Sequence, residues 1–164
     1  VPEQTEAPTQ KTEAMVKVPL DGTLLSIQKM DDPVFSNETL GKGCAIEPTG
    51  DKVTAPFDGV IDLVADTKHA VGLTSVDGIQ LLIHVGIDTV ALNGKGFEPK
   101  VSVGQKVKQG DELLRCDRSV ITDAGYKATT AVVVLNTDDY SDVRLAEKEG
   151  TVVSQNQNVL EILP

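Results

Sequence analysis

Apolar residues in this chain fall in short β-branched runs bounded by Gly, Pro, Asn and Asp, the pattern of many short strands joined by turns. The most informative stretch runs from Thr67 to Val90. Thr67-Lys68-His69-Ala70-Val71-Gly72-Leu73 and Leu81-Leu82-Ile83-His84-Val85-Gly86-Ile87 stand on either side of Asp77-Gly78. Asp-Gly between such runs is the strongest short-range signal for a two-residue hairpin turn. With that turn Val76 faces Ile79, His84 faces Val71 and Gly86 faces His69. Facing residues share a sheet face, as do residues two apart on one strand, so His69 and His84 become diagonal neighbours roughly 7–8 Å apart at the backbone. Thr67 and Asp88 fall on that face too, in the absence of a bulge.

Elsewhere the alternation repeats itself. Residues 18–27 read VPLDGTLLSI and residues 55–64 read APFDGVIDLV, each a Pro-x-Asp-Gly turn leading into an apolar strand, and a weaker echo, EKEGTVVSQ, begins at Glu147. Repetition of this kind predicts a duplicated β-motif. Gly41 to Ile46 reads as a strand entry; its Gly-x-Gly is loop geometry, since no strand precedes it and no helix follows. Thr129 to Leu135 is a buried strand. Helical signals are brief: Asp88 to Leu92 fits one turn, and Asp117 as cap with Gly125 as stop frames one short helix. The expected fold is all-β, an antiparallel β-sandwich or flattened barrel with a duplicated β-motif and one or two short helical turns.

Composition narrows the picture. Residues 1–16, VPEQTEAPTQKTEAMV, hold almost no large apolar side chains and cannot offset their ordering entropy, so they read as a flexible linker or tail ahead of one folded domain, 17–164. Aromatics make up 3% of the chain and Trp is absent, which leaves the core to Val, Ile and Leu. With 15 Lys and Arg against 25 Asp and Glu, the formal charge is −10. That balance speaks against a nucleic-acid partner and for a basic protein partner. Cys44 and Cys116 lack any CxxC spacing and read as buried, reduced thiols of a cytoplasmic protein. No apolar run approaches membrane-spanning length.

The two histidines carry the candidate chemistry, because imidazole alone among side chains changes charge near neutral pH and serves as nucleophile, acid, base or ligand. Paired imidazoles suit phosphoryl transfer through a phosphohistidine, one ring carrying the group while the other donates a hydrogen bond to its oxygens. They also suit zinc, with Asp88 as third ligand and a fourth position open. The plain alternative is a pair of half-buried strand histidines.

Residues 67–73 (TKHAVGL), 81–90 (LLIHVGIDTV), 92–97 (LNGKGF) and 55–59 (APFDG) closely resemble the glucose-family enzyme IIA of the bacterial sugar phosphotransferase system. The likeness runs from about Val18 to the C-terminus. It implies that His84 accepts a phosphoryl group on Nε2 from the phosphocarrier protein HPr and passes it to a cysteine of an enzyme IIB domain. It implies that His69 stabilises the phosphorylated state and that Thr67 hydrogen-bonds within the site. Asp32 and Asp88 match acidic positions suited to basic partner residues, and Val34, Phe35, Ile46, Val71, Ile83 and Val90 would form an apolar apron. No cofactor is implied and no metal is intrinsic, although the two histidines help bind zinc in one kind of family complex. A monomer is expected, docking briefly with HPr, enzyme IIB and, in the family, transporters or metabolic enzymes under its control. A cytoplasmic domain tethered to a membrane permease through residues 1–16 fits as well as a free-standing one, and so does a regulatory module fused to a sugar transporter.

One other family is similar in part. Residues 55–60 and the glycine-punctuated stretch from Val101 to Leu113 look like the flanking strands of biotinyl or lipoyl carrier domains. No Met-Lys-Met or equivalent lysine-bearing tip stands between them, which counts against that reading.

Overall fold

The computed structural model describes residues 14–155 and 157–164. The expected linker at 1–16 lies outside the described residues as far as residue 13; its last three residues are instead strand, so the domain begins earlier than position 17.

Three strands open the fold: β1 (Ala14–Lys17), β2 (Gly22–Ser26) and β3 (Lys42–Pro48). Seven follow: β4 (Lys52–Thr54), β5 (Gly59–Val64), β6 (Ala70–Ser75), β7 (Gln80–Ile87), β8 (Phe97–Pro99), β9 (Lys106–Val107) and β10 (Glu112–Cys116). Four close it: β11 (Lys127–Val134), β12 (Asp142–Leu145), β13 (Val152–Val153) and β14 (Asn158–Leu163). Two short helices, α1 (Pro33–Ser36) and α2 (Arg118–Asp123), and 3-10 turns such as Ile27–Lys29 and Thr89–Leu92 complete the chain. Asp117 caps α2 by accepting the Ser119 N–H at 3.0 Å, as its sequence predicts. All pairings are antiparallel. They build open sheets, one of eight strands in the order β13-β2-β3-β11-β7-β6-β5-β9 and two of three strands, β1-β14-β12 and β4-β10-β8. Of the two forms expected, the sandwich is the one adopted.

The strand order explains the repeat. Exchanging β2 with β5, β3 with β6, β11 with β7 and β13 with β9 leaves the large sheet unchanged, and exchanging β1, β14 and β12 with β4, β10 and β8 swaps the small ones. The second motif is thus inserted whole, as β4 to β10, between two parts of the first. The Pro, Asp and Gly of the repeated Pro-x-Asp-Gly have the same job in both copies. The carbonyls of Pro56 and Pro19 accept N–H groups from the opposite copy, Lys17 at 3.1 Å and Thr54 at 2.8 Å. The carboxylates of Asp21 and Asp58 accept the N–H of Gln155 and Gln109, both at 2.8 Å. The glycines are not turn glycines at all: a Cβ on Gly22 or Gly59 would collide with the carbonyl oxygen of Glu47 or Thr74 on the neighbouring strand.

Between the sheets lies a core of aliphatic side chains, among them Leu24, Ile46, Ile61, Val71, Leu73, Leu81, Ile83, Leu114 and Leu160. A smaller cluster forms on the outer face of the large sheet, where the segment between β2 and β3 lays Ile27, Met30 and Phe35 over Ala45, Ile87, Ala131 and Val133. Among the described residues no helix is long and apolar enough to cross a membrane.

The hairpin between β6 and β7 departs from expectation by one residue. Its loop is Val76-Asp77-Gly78, closed by Ser75 N–H to Ile79 O at 2.9 Å and Gly78 N–H to Ser75 O at 3.0 Å, with Gly78 at φ 95°. The Ser75 hydroxyl stabilises the longer loop by accepting the N–H groups of Asp77 at 3.2 Å and Ile79 at 2.9 Å. His84 therefore pairs with Ala70, and Val71 with Ile83.

The glycines of the repeat give a test. Gly22→Ala and Gly59→Ala are each expected to lower the unfolding free energy by about 2–3 kcal/mol. Gly78→Ala, strained in φ but with nothing within 4 Å of its new methyl, should lose about 1 kcal/mol. Urea midpoints measure both; a wild-type midpoint for Gly59→Ala would remove the close-approach account of the repeat.

Candidate functional site

The site lies on the outer face of the large sheet, at the end of β6 and in the second half of β7. His84 shares that face with Leu82, because residues two apart on a strand point the same way, while Leu81, Ile83 and Val85 between them are wholly buried. Across the hairpin Ala70 and Gly72 stand opposite His84 and Leu82, leaving room beside the imidazole.

Strict alternation would send His69, one residue beyond Ala70, to the opposite face. The chain avoids this by leaving strand geometry: Lys68 adopts φ 66° and His69 stands in a bend before β6. Its carbonyl still accepts the Val85 N–H at 2.8 Å. The two imidazoles meet edge to face, with centroids 4.6 Å apart and planes at 85°. Sequence reasoning thus brings the right histidines together by the wrong register.

The hydrogen bonds fix the chemistry of the rings. His84 Nδ1 lies 3.0 Å from the Gly86 carbonyl oxygen. A carbonyl only accepts, so Nδ1 carries the proton and the neutral ring keeps its lone pair on Nε2. Gly86 supplies that carbonyl from φ 87°, at a bulge where β7 slips against β11. His69 Nδ1 lies 2.8 Å from the Thr67 hydroxyl, so Thr67 joins the site as its sequence position predicts. Burial, then the neighbouring His69, pushes His84 down to about 4, against weaker opposing effects of the Gly86 carbonyl and the Asp32 carboxylate. His69 is also lowered, chiefly by burial. Both rings are therefore neutral at physiological pH.

Phe35 packs against His84 with ring centroids 4.9 Å apart and planes tilted by 56°. It reaches there on α1, which Asp32 caps by accepting the Val34 N–H at 3.0 Å. Val34 and Val90 are exposed, at 45% and 54%, as expected of an apolar apron. Ile46, Val71 and Ile83 are not part of it: all three are fully buried in the core, because alternation from His84 itself sends Ile83 inward and Val71 with it. Leu82, missed in the sequence reading, takes the outward place, and the same two-residue alternation would have found it. Phe97 was missed as well; its ring lies 6.3 Å from that of His69.

Asp88 does not join the imidazoles as a ligand. It is exposed, at φ 61°, and heads the 3-10 turn of Thr89–Leu92. Among the described residues no group of three or more His, Cys, Asp or Glu side chains is arranged to hold a metal ion. Cys44 and Cys116 are buried free thiols, as expected. Burial pushes both well above the ordinary thiol range, Cys116 up to about 12.

Known proteins resemble this chain in sequence and in fold. The family described as phosphoenolpyruvate-dependent sugar phosphotransferase system, EIIA 1, matches residues 14–140. A glucose-specific EIIA component from Staphylococcus epidermidis is 37% identical over 142 residues, covering 87% of this chain and 86% of its own. A glucose-specific EIIA component from Bacillus cereus is 40% identical over 132 residues, covering 80% of each. The β-glucoside-specific EIIBCA component of Dickeya chrysanthemi is 46% identical over 125 residues, which are 76% of this chain, and this chain spans only 20% of that protein's length. In structure, the glucose permease IIA from Mycoplasma capricolum superposes with a TM-score of 0.79 at 32% identity, over 92% of this chain and 96% of its own. With its matching residues, its duplicated sandwich and its paired histidines, the chain belongs to the EIIA 1 family of the phosphoenolpyruvate-dependent sugar phosphotransferase system.

Proposed function

We propose that this domain relays a phosphoryl group during sugar uptake, taking it from phosphorylated HPr on His84 and passing it to a cysteine of an enzyme IIB domain. The observation that carries the reading is the His84 Nδ1–H bond to the Gly86 carbonyl, which leaves a free Nε2 lone pair on a neutral ring. In the first step that lone pair attacks phosphorus; the Nε2–P bond forms as the donor's bond to phosphorus breaks, and its electron pair returns to the donor. In the second a cysteine thiolate attacks phosphorus, and the Nε2–P electron pair returns to His84. No proton leaves the ring in either step, because Nδ1 keeps its hydrogen throughout. Chemistry of this kind asks the protein mainly to position and to stabilise charge.

His69 supplies the charge stabilisation. With Thr67 donating its hydroxyl hydrogen to Nδ1, the His69 Nε2–H is free to donate to a phosphoryl oxygen held on its neighbour. Val34 and Val90 offer exposed apolar surface to a partner, Phe35 packs beneath against His84, and Asp32 and Asp88 offer negative edges for a basic partner. Docking of that kind is small, fast and ionic-strength dependent rather than tight. The EIIBCA relative carries its matching stretch within a much longer chain. We place this domain likewise on the cytoplasmic side, beside the membrane permease that it serves.

Intact-mass measurement after incubation with phosphoenolpyruvate, enzyme I and HPr should show one acid-labile phosphoryl group, absent in His84→Gln. His69→Gln should still accept the group but pass it to enzyme IIB roughly 100-fold more slowly. An unlabelled wild type, or a His69→Gln variant relaying at full speed, would overturn the respective assignments.

Titration gives a second test. His84 has a folded-state value of about 4 against an unfolded value near 6.5, so the unfolded chain binds the extra proton between those values. Its contribution to stability is complete above about pH 6.5 and is lost as the pH falls toward 4. Histidine NMR should accordingly find His84 neutral at pH 6, and urea unfolding should show wild type losing more stability than His84→Gln between pH 6.5 and 4. A midpoint near 6.5 for His84 would contradict the buried, neutral nucleophile.

A further inference from the structure

Thr89 is a wholly buried polar residue that the relay has not yet used, 0% exposed at the start of the 3-10 turn after β7. Its hydroxyl donates to the Val85 carbonyl at 2.6 Å. That carbonyl belongs to the peptide joining Val85 to Gly86, so the bond holds the plane from which the Gly86 backbone departs at φ 87°. The thin side of Gly86 faces the same residue, for a Cβ there would collide with Thr89 Cγ2 and press on the Lys127 carbonyl oxygen. Hydroxyl and methyl together thus grip the one residue whose carbonyl receives His84 Nδ1–H. The N–H of Val85 meanwhile donates to the His69 carbonyl at 2.8 Å, which ties the backbone of the second histidine to the same segment.

We propose that Thr89 is a positioning residue for the relay: by fixing the Val85–Gly86 peptide it aims the Gly86 carbonyl at His84 Nδ1 and so holds the proton on that nitrogen and the lone pair on Nε2. The inference rests on His84 being the phosphoacceptor. Thr89 hydrogen-bonds to neither imidazole and is wholly buried, away from any docking partner. Its effect falls on the rate of transfer and leaves partner affinity unchanged. A misaimed carbonyl frees the His84 ring to rotate and to exchange tautomers, and a small misplacement of a reacting atom is enough to slow a step strongly.

The test uses the full chain with ¹⁵N-labelled histidine in wild type, Thr89→Val, Thr89→Ser and Thr89→Ala. In wild type and Thr89→Ser, NMR should show His84 with a protonated Nδ1 and an unprotonated Nε2. In Thr89→Val, which keeps the shape and loses the hydroxyl, the two nitrogens should move toward averaged shifts. Phosphoryl transfer at saturating HPr should fall about tenfold or more, with the KM for HPr unchanged. Should Thr89→Val fail to fold, Thr89→Ser and Thr89→Ala decide, since both lack the methyl and differ only in the hydroxyl. Wild-type nitrogen shifts and rate in Thr89→Val, or identical behaviour of Thr89→Ala and Thr89→Ser, would overturn the proposal. A wild-type protein that takes up no phosphoryl group would instead remove the relay reading, while the nitrogen shifts of the variants would still show whether Thr89 sets the His84 tautomer.

Discussion

A β-strand presents its side chains to two faces in turn, and every feature of this site is a response to that constraint. The hairpin register puts Ala70 opposite His84, so a regular strand would carry His69 to the core face. Two departures from regularity resolve the conflict. Before β6 the left-handed Lys68 frees His69 from the alternation, and near the end of β7 the left-handed Gly86 turns its carbonyl back toward His84. The first is a conformation of higher energy, held in place by the structure around it, whereas glycine adopts the second without steric cost. The surrounding sheet is part of how the site is held: β11 pairs with β7 from Leu81 to Val85, slips where Gly86 turns, and pairs again at Ile87.

Electrostatics follow from the same geometry. Each imidazole is shielded from water by its neighbours, and the nearness of the other makes a positive charge on either less favourable. Neutral rings suit a relay, since a protonated Nε2 has no lone pair to offer. Burial alone would leave their polar atoms unmatched, and the Gly86 carbonyl and Thr67 hydroxyl answer that need at Nδ1 on each ring. What remains open on each ring is Nε2.

Much of this was legible in the sequence, because it depends on local rules. The β-branched runs and the Asp117 cap each state a short-range preference and each corresponds to an element at the expected place, and Asp77-Gly78 does lie in the connection between β6 and β7. The hairpin register was not legible, because it turned on whether Ser75 would close a three-residue loop, a contest between two turn geometries of similar energy. That single residue moved Val71 from the face of His84 into the core, whereas the inward Ile83 and the outward Leu82 follow from alternation along the strand of His84 in either register. Nor did the repeated glycines declare their purpose: an Asp-Gly pair reads as a turn, whereas here the glycine yields space to a carbonyl on the next strand. Contacts between distant strands leave no trace in a short window of sequence.

The duplication also explains why the site occurs in one copy only. The sheet's twofold relation carries the Ala131–His84 pair onto Leu82–Val133, so Val133 occupies the position equivalent to His84. On that side the outer face is roofed by Ile27, Met30 and Phe35 from the segment between β2 and β3. The equivalent connection on the other side, between β5 and β6, is only five residues long and supplies His69 and no roof. There Leu63 stays 46% exposed and the sheet face around His84 opens to partners. The roof still reaches across, for Phe35 sits at its border and packs on His84. A symmetrical scaffold thus acquires a directional site from unequal loops: the long one seals its own half and lends an aromatic wall, and the short one leaves the other half without a roof, where the proposed phosphoryl group and its donor would sit.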